Sequence, residues 1–285
     1  MTSPTIVRTV AEMREHVRAW KAAGQRVALV PTMGALHEGH LSLIRIAQQQ
    51  AERVIATVFV NPKQFAPHED FDAYPRGEAV DAEKLASVGC DLMFAPNAAE
   101  MYAPGFSTTV SVSGVSEPLE GAARPQFFAG VATVVSKLFI QSQADVAVFG
   151  EKDYQQLQVI KRMARDLDIP IEIFGAPTAR AEDGLALSSR NAYLSPAERA
   201  AAVALPTAMK VAAASVAAGG RIDEAEQTAV AALKAAGFGQ VDYVEVREAS
   251  DLSRLGPGPI GQAEGRILVA AWLGKTRLID NMAVV

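Results

Sequence analysis

Between residues 26 and 176 the chain repeatedly passes from a short apolar, β-branched run into an amphipathic stretch, and this alternation limits the fold more than any other feature. RVALVPT leads into LHEGHLSLIRIAQQQ, ERVIATVFV is followed by the helical pattern AVDAEKLASVGC, and DLMFAP closes this first series. Further on, FAGVATVVSKLFIQS precedes DVAVFG, and YQQLQVIKRMARDLD precedes IEIFGAP. Repeated βα units imply a parallel sheet with helices on both faces. The apolar runs are continuous rather than alternating, as strands buried on both faces require. The fold class is therefore α/β, a Rossmann-like parallel sheet in the N-terminal part.

After about residue 183 the character changes. SPAERAAAVALPTAMKVAAASVAAGG and DEAEQTAVAALKAAG are Ala-rich but carry Leu, Val and Met at helical spacing, and QVDYVEVRE, GRILVAAWLG and KTRLIDNMAV follow as strands. This pattern predicts a smaller α+β C-terminal domain, helices on an antiparallel sheet, with LGPGPIGQAEG as a Pro- and Gly-rich loop. The expected domains are 1–183 and 184–285, and 285 residues suffice for both.

Charge and cysteine content narrow the partners. A net charge of -5 lacks the basic excess typical of nucleic-acid binding, so no nucleic acid is expected and any anion must be held locally. Cys90 is the single cysteine, which excludes an intramolecular disulfide and a cysteine-based zinc site, and it reads as a small buried hydrophobe. No apolar run of about 18 residues stands out, and MTSPTIVRTVAEMREH carries charges where a signal peptide is apolar. The expectation is a cytoplasmic protein with no membrane partner.

PTMGALHEGH, VNPKQF and GEKDYQQ each follow an apolar run directly, and ligands of open parallel sheets gather at the carboxyl ends of strands. In the first cluster His37 and His40 lie three apart at a strand-to-helix junction, with Gly34 and Gly39 permitting close backbone approach. Free N–H groups at a helix start attract phosphate, and two imidazoles there can donate to its oxygens. The bland alternative is a pair of solvated histidines; a zinc site lacks a third ligand and any HExxH spacing. Neither GxxxxGK[ST] nor GxGxxG occurs after the first strand, which disfavours Walker-type NTPases and nicotinamide dehydrogenases.

Lys152, near a second helix start, is placed against the helix dipole, a local cost that an anionic partner would offset. An ordinary surface lysine beside Glu151 or Asp153 is the alternative. DGLALSSRN offers two hydroxyls and a guanidinium in Ser188, Ser189 and Arg190, suited to phosphate oxygens, or simply a turn before a helix that begins near Ser195. Gln64 and Gln156 are amides that can read hydroxyl groups, or bond to backbone.

Taken together, PTMGALHEGHLSLI, FVNPKQF, FDAYPR, GEKDYQQL, DGLALSSRN and TRLIDN resemble the pantoate–β-alanine ligases over nearly the whole chain. HEGH is similar to the HxGH signature of nucleotidylyl transferases, and LSSRN to that superfamily's second phosphate loop. The resemblance implies a two-step reaction. Pantoate carboxylate attacks the α-phosphorus of ATP, releasing pyrophosphate; the β-alanine amine then attacks the acyl carbon of pantoyl adenylate, giving pantothenate and AMP. It further implies Mg2+ used with ATP, a homodimer, and a C-terminal domain that closes over the nucleotide.

Residue by residue, the resemblance assigns ATP binding to Met33, Gly34, His37, Gly39 and His40, with His40 matching the family's proton donor. Gly150, Glu151, Lys152 and Asp153 match an ATP loop, and Leu187, Ser188, Ser189 and Arg190 the second loop. His40, His37, Lys152 and Arg190 would carry the catalysis, while Gln64 and Gln156 would hold pantoate and β-alanine. Magnesium ligands are not readable. Two departures stand out: Ala179 where the family often has PTVRE, a position that contacts adenine through backbone, and Lys63 where many members have methionine. Rival readings are an HxGH enzyme that transfers AMP to a phosphate acceptor, which would need a second basic site, and a non-catalytic nucleotide sensor.

Overall fold

Six strands run parallel in the order β1-β4-β3-β2-β5-β6, in a computed structural model that describes residues 3–66, 71–72 and 74–285. They are β1 (Thr5–Val7), β2 (Val27–Thr32), β3 (Arg53–Val58), β4 (Leu92–Phe94), β5 (Val146–Gly150) and β6 (Glu172–Ala176). Helices α1 (Val10–Ala22), α2 (Glu38–Gln50), α3 (Glu78–Ser87), the short α4 (Ala98–Met101) and α5 (Glu120–Ala123), α6 (Phe127–Ser142) and α7 (Tyr154–Asp166) make the connections. The expected Rossmann-like architecture is present, with β1 and α1 added ahead of the first strand read from the sequence. Ala73, within FDAYPR, lies outside the described residues.

The sheet separates two apolar clusters, as its unbroken apolar strands require. Val27, Leu29, Ile55 and Phe94 face one, packed on α1 and α6; Ala28, Val30, Val54 and Met93 face the other, with Leu43, Ile44 and Leu85. Cys90 belongs to the second cluster, and burial pushes its thiol up to about 12. β2 pairs with both β3 and β5, so the three sequence clusters leave adjacent strands at the same edge.

The chain divides into two compact units, Met1–Glu151 with Gln156–Pro177, and Lys152–Gln155 with Thr178–Val285. The second is built on an antiparallel sheet, β7 (Val241–Glu248), β8 (Gly265–Leu273) and β9 (Thr276–Ala283), covered by α8 (Pro196–Ala201), α9 (Ala204–Ala217) and α10 (Ile222–Ala235). Pro196–Ala217 is long and apolar enough to cross a bilayer by length and composition. It is nevertheless two helices, and Leu205, Met209, Ala212 and Val216 fill this unit's own core with Val246, Ile267 and Val269.

Candidate active site

The loop from β2 into α2 is held by groups remote in sequence. The Thr32 hydroxyl donates to the Thr57 carbonyl at 2.6 Å and accepts the Gly34 N–H at 3.2 Å. Gly34 has φ +82°, and a Cβ there would meet Asp81 Oδ2 and Val58 Cγ1 at 3.0 Å, so glycine is required both by conformation and by space. The buried Asp81 carboxylate accepts the Ala35 N–H at 3.0 Å and the Leu36 N–H at 2.8 Å, while Lys84 Nζ donates to the Leu36 carbonyl at 2.6 Å. One turn of α3 thus grips donors and acceptor of a single loop.

His37 is the N-cap of α2 and His40 its third residue. His37 Nδ1 accepts the Gly39 N–H at 3.1 Å and His40 Nδ1 accepts the His37 N–H at 3.3 Å, a capping box made by imidazoles where hydroxyl and carboxylate are usual. The ring centroids lie 4.2 Å apart.

Gln64 is positioned by two neighbours. Its Nε2 donates to Met33 Sδ at 3.0 Å, and its Oε1 accepts from Asn61 Nδ2 at 3.1 Å. Asn61 is buried, also donates to the Gly130 carbonyl, and accepts the Tyr102 hydroxyl at 2.6 Å. Burial pushes the Tyr102 phenol upward, so it stays a neutral donor. Lys63 sends its ammonium over the Tyr102 and Phe106 rings, at 5.3 and 5.1 Å from their centroids. Its charge is thereby engaged by aromatic faces.

Gly150 ends β5 and is followed directly by a 3-10 turn, Glu151–Asp153, that runs straight into α7. Gln156 lies half-buried in the first turn of that helix. Lys152 and Asp153 group with the second unit. There the Lys152 carbonyl accepts from Asn281 Nδ2 at 2.8 Å, and Lys152 Nζ is 3.8 Å from Asp153 Oδ1.

The second loop of that unit is a small hairpin: Leu187 N–H bonds to the Ala179 carbonyl, and Ala181 N–H to that of Leu185. Gly184 turns it with φ +90°. Arg180 forms a bidentate pair with Asp280, at 2.7 and 2.9 Å, across its base. Ser188 then caps a 3-10 turn, Ser189–Tyr193, by accepting the Arg190 N–H. Ser195 separately caps α8, so the turn and the helix start near Ser195 read from the sequence are both present. The Thr178 hydroxyl oxygen is enclosed without a hydrogen-bond partner.

Within the first unit, then, His37 joins His40 and Met33 joins Gln64; within the second, Lys152 joins Asp153 and Ser188 joins Arg190. Asp81, Lys84 and Asn61 escaped sequence reasoning. Only Asn61 carried a local signal, an Asn-Pro step that caps the Pro62–Gln64 turn. Among the described residues no group of three or more His, Cys, Asp or Glu side chains is placed to hold a metal ion.

Comparison with known proteins gives one consistent result. Residues 5–283 match the model of the pantoate-beta-alanine ligase family. The chain is 89% identical to a pantothenate synthetase of Caulobacter vibrioides and 57% to that of Rhodospirillum rubrum, with full coverage of both chains in each case. Among solved structures, pantothenate synthetase of Thermus thermophilus superposes with TM-score 0.90 at 46% identity, over 98% of this chain and 99% of that one. A Francisella tularensis pantoate-beta-alanine ligase complexed with β-γ ATP and β-alanine gives TM-score 0.82 at 30% identity, over 99% and 98%.

Proposed function

The chain belongs to the pantoate–β-alanine ligase family, and from that premise we propose how its residues divide the work of joining pantoate to β-alanine at the expense of ATP. The single observation that carries the assignment is the imidazole-capped start of α2, where both Nδ1 atoms are engaged by backbone. With Nδ1 accepting, each neutral ring carries its proton on Nε2, the atom we assign as the donor to phosphate. Charge grows on the β-phosphate as pyrophosphate leaves, so a preorganised donor is worth more in the transition state than before it.

In the first unit, Met33, Gly34, His37, Gly39 and His40 are assigned to ATP together with Gly150 and Glu151, and Gln64 and Gln156 to pantoate and β-alanine. The contacts of Gln64 with Met33 and Asn61 support this, since an amide fixed at both ends reads a ligand hydroxyl without reorganising. In the second unit, Lys152, Asp153, Ala179, Leu187, Ser188, Ser189 and Arg190 are assigned to the nucleotide. Neither step needs a covalent enzyme intermediate, so positioned donors and positive charge suffice. Treating residues 1–183 and 184–285 as nucleotide-binding domain and lid belongs to this same reading.

Mg2+ enters with the nucleotide rather than as a resident ion: the described acidic and imidazole side chains do not form a cage, and the ion commonly binds through substrate phosphates and water. A cytoplasmic homodimer completes the proposal. Supporting the second copy, residues 107–113 lie outside both sheets, and Thr108 and Val110 line a cavity of about 330 Å³ with the exposed Ile140 and Leu167.

The test is stoichiometric. With ATP and pantoate alone, about one equivalent of pyrophosphate per site should appear in a burst with pantoyl adenylate retained; adding β-alanine should give AMP and pantothenate in equal amounts. Consumption of ATP without pantoate, or a product that keeps the adenylate, would return the assignment to the rival nucleotidylyl transfer.

A further inference from the structure

TRLIDN, the sixth sequence motif, has no place in the chemistry so far. Its Asp280 and Asn281, in β9, are 3% and 2% exposed. Successive residues of a strand face opposite sides, so two polar side chains are buried back to back, which is costly unless each is satisfied. Both are, and their partners lie in the two segments assigned to nucleotide. Asp280 takes the Arg180 fork, and Arg180 also donates to the Gly184 carbonyl at 3.0 Å and the Asn281 carbonyl at 3.2 Å. Asn281 Nδ2 donates to the Lys152 carbonyl, and its Oδ1 accepts from Arg266 Nε at 2.6 Å. Arg266 in turn lies over the Tyr154 ring at 3.7 Å, and the Tyr154 hydroxyl donates to the Ala249 carbonyl at 3.0 Å.

The geometry points to Asp280 and Asn281 as positioning residues for ATP: adjacent on one strand, they fix the backbone of Lys152 and the base of the Ser188–Arg190 loop to the same rigid element. The inference rests on the reading of Lys152 and Arg190 as phosphate contacts. A lysine and an arginine on separate loops would each lose backbone as well as side-chain freedom on binding. Tied to neighbouring positions of β9, the Lys152 main chain and the base of the Ser188–Arg190 loop are already ordered, so less backbone freedom is left to lose.

Affinity for a non-hydrolysable ATP analogue and for adenosine, measured by calorimetry in the full chain with thermal midpoints recorded, decides the matter. Asn281→Ala should weaken the analogue about tenfold, the loss of one buried hydrogen bond and the preorganisation it supplies, and leave adenosine nearly unchanged. In a Lys152→Ala background the Asn281→Ala effect should vanish, because the residue it acts through is gone. Asp280→Asn keeps the shape of the side chain, serves if Asn281→Ala does not fold, and should lose its effect in an Arg190→Ala background. Wild-type analogue binding by both folded variants, or equal weakening in either background, overturns the proposal by making the two residues merely structural. Unchanged analogue binding in Lys152→Ala and Arg190→Ala themselves would instead refute the phosphate assignment, and the positioning role would fall with it.

Discussion

His40 Nδ1 accepts the backbone N–H of His37 at 3.3 Å, so the second histidine of HEGH caps the first. An N–H group can bond only to a ring nitrogen that lacks a proton, and this fixes the neutral tautomer. The same holds for His37, whose Nδ1 accepts from Gly39.

Two-bond proton–nitrogen NMR should therefore find both rings as Nε2–H tautomers. In a His40→Gln variant the amide nitrogen falls near the position of Nε2, whereas in His40→Asn the side-chain oxygen replaces only the capping Nδ1. His40→Asn should lower single-turnover pantoyl adenylate formation at least about tenfold, and His40→Gln less. Equal rates for the two variants would separate His40 from the developing phosphate charge.

Asp81 gives a prediction about stability and loop geometry together. Asp81→Ala removes a buried acceptor from Ala35 and Leu36 N–H, and should cost about 1–3 kcal/mol in denaturant unfolding while raising KM for ATP. Asp81→Asn keeps one acceptor and faces the other N–H with an amide, so it should lose part of the same stability. Unfolding midpoints beside initial-rate kinetics read both effects, and an unchanged KM in a folded Asp81→Ala would remove the loop from nucleotide binding.

Asp145 sets part of the acid limb of stability. Burial alone would raise its carboxyl, but the Lys21 ammonium at 2.9 Å, the Val27 N–H at 2.8 Å and nearby Arg26 hold it below the ordinary range. A carboxylate depressed in the folded state contributes stability above its unfolded pKa of about 3.9 and loses it as pH falls through the lower folded value. Asp145→Asn should be less stable than wild type at pH 7 by about 1 kcal/mol, discounted because solvent reaches a third of the side chain. That gap should close between about pH 4 and 2 in unfolding titrations.

Cys90 should resist alkylation in the native protein at pH 8. Its thiol is buried beside Val54 and Leu92 carbonyls, and the thiolate that reacts is disfavoured by a pKa of about 12. Labelling should proceed at the rate of unfolding, accelerating sharply only in denaturant; rapid labelling without denaturant would contradict this burial.

These residues mark where the sequence was readable. Strands such as RVALV and DVAVF announce themselves because burial on both faces leaves no polar position in them. Helix starts are legible because cap and glycine lie within a few residues. Asp81 and Lys84 are opaque for the opposite reason: in AVDAEKLAS they read as the solvated face of a helix, and their partners are 45 to 48 residues earlier. Asp280 hides in the same way, its partner Arg180 lying 100 residues earlier. β1, only three residues long, is specified by pairing with β4 rather than by any pattern of its own. Lys63 shows the limit of local charge reading, since beside a ligand loop it turns instead to Tyr102 and Phe106.

The loop carrying Ser188, Ser189 and Arg190 should respond to phosphate in its tip and not in its base. Its base is already closed by the Arg180–Asp280 pair and by the hydrogen bonds of Ala181 with Leu185 and Leu187 with Ala179. The tip is a single 3-10 turn, Ser189–Tyr193, with the Ser188 cap and the Asn191 amide on the Ala186 carbonyl. A ligand can order a segment only as far as it contacts it differently in its two states. Amide hydrogen exchange over residues 180–192 should thus show slow exchange of the Ala181 and Leu187 N–H groups without ligand. Protection of residues 188–191 should rise with a non-hydrolysable ATP analogue and remain at the unliganded level with adenosine. Arg190→Ala should abolish that rise by removing the charge-assisted contact. Equal protection of 188–191 by adenosine and by the analogue would mean that the phosphates do not hold this turn.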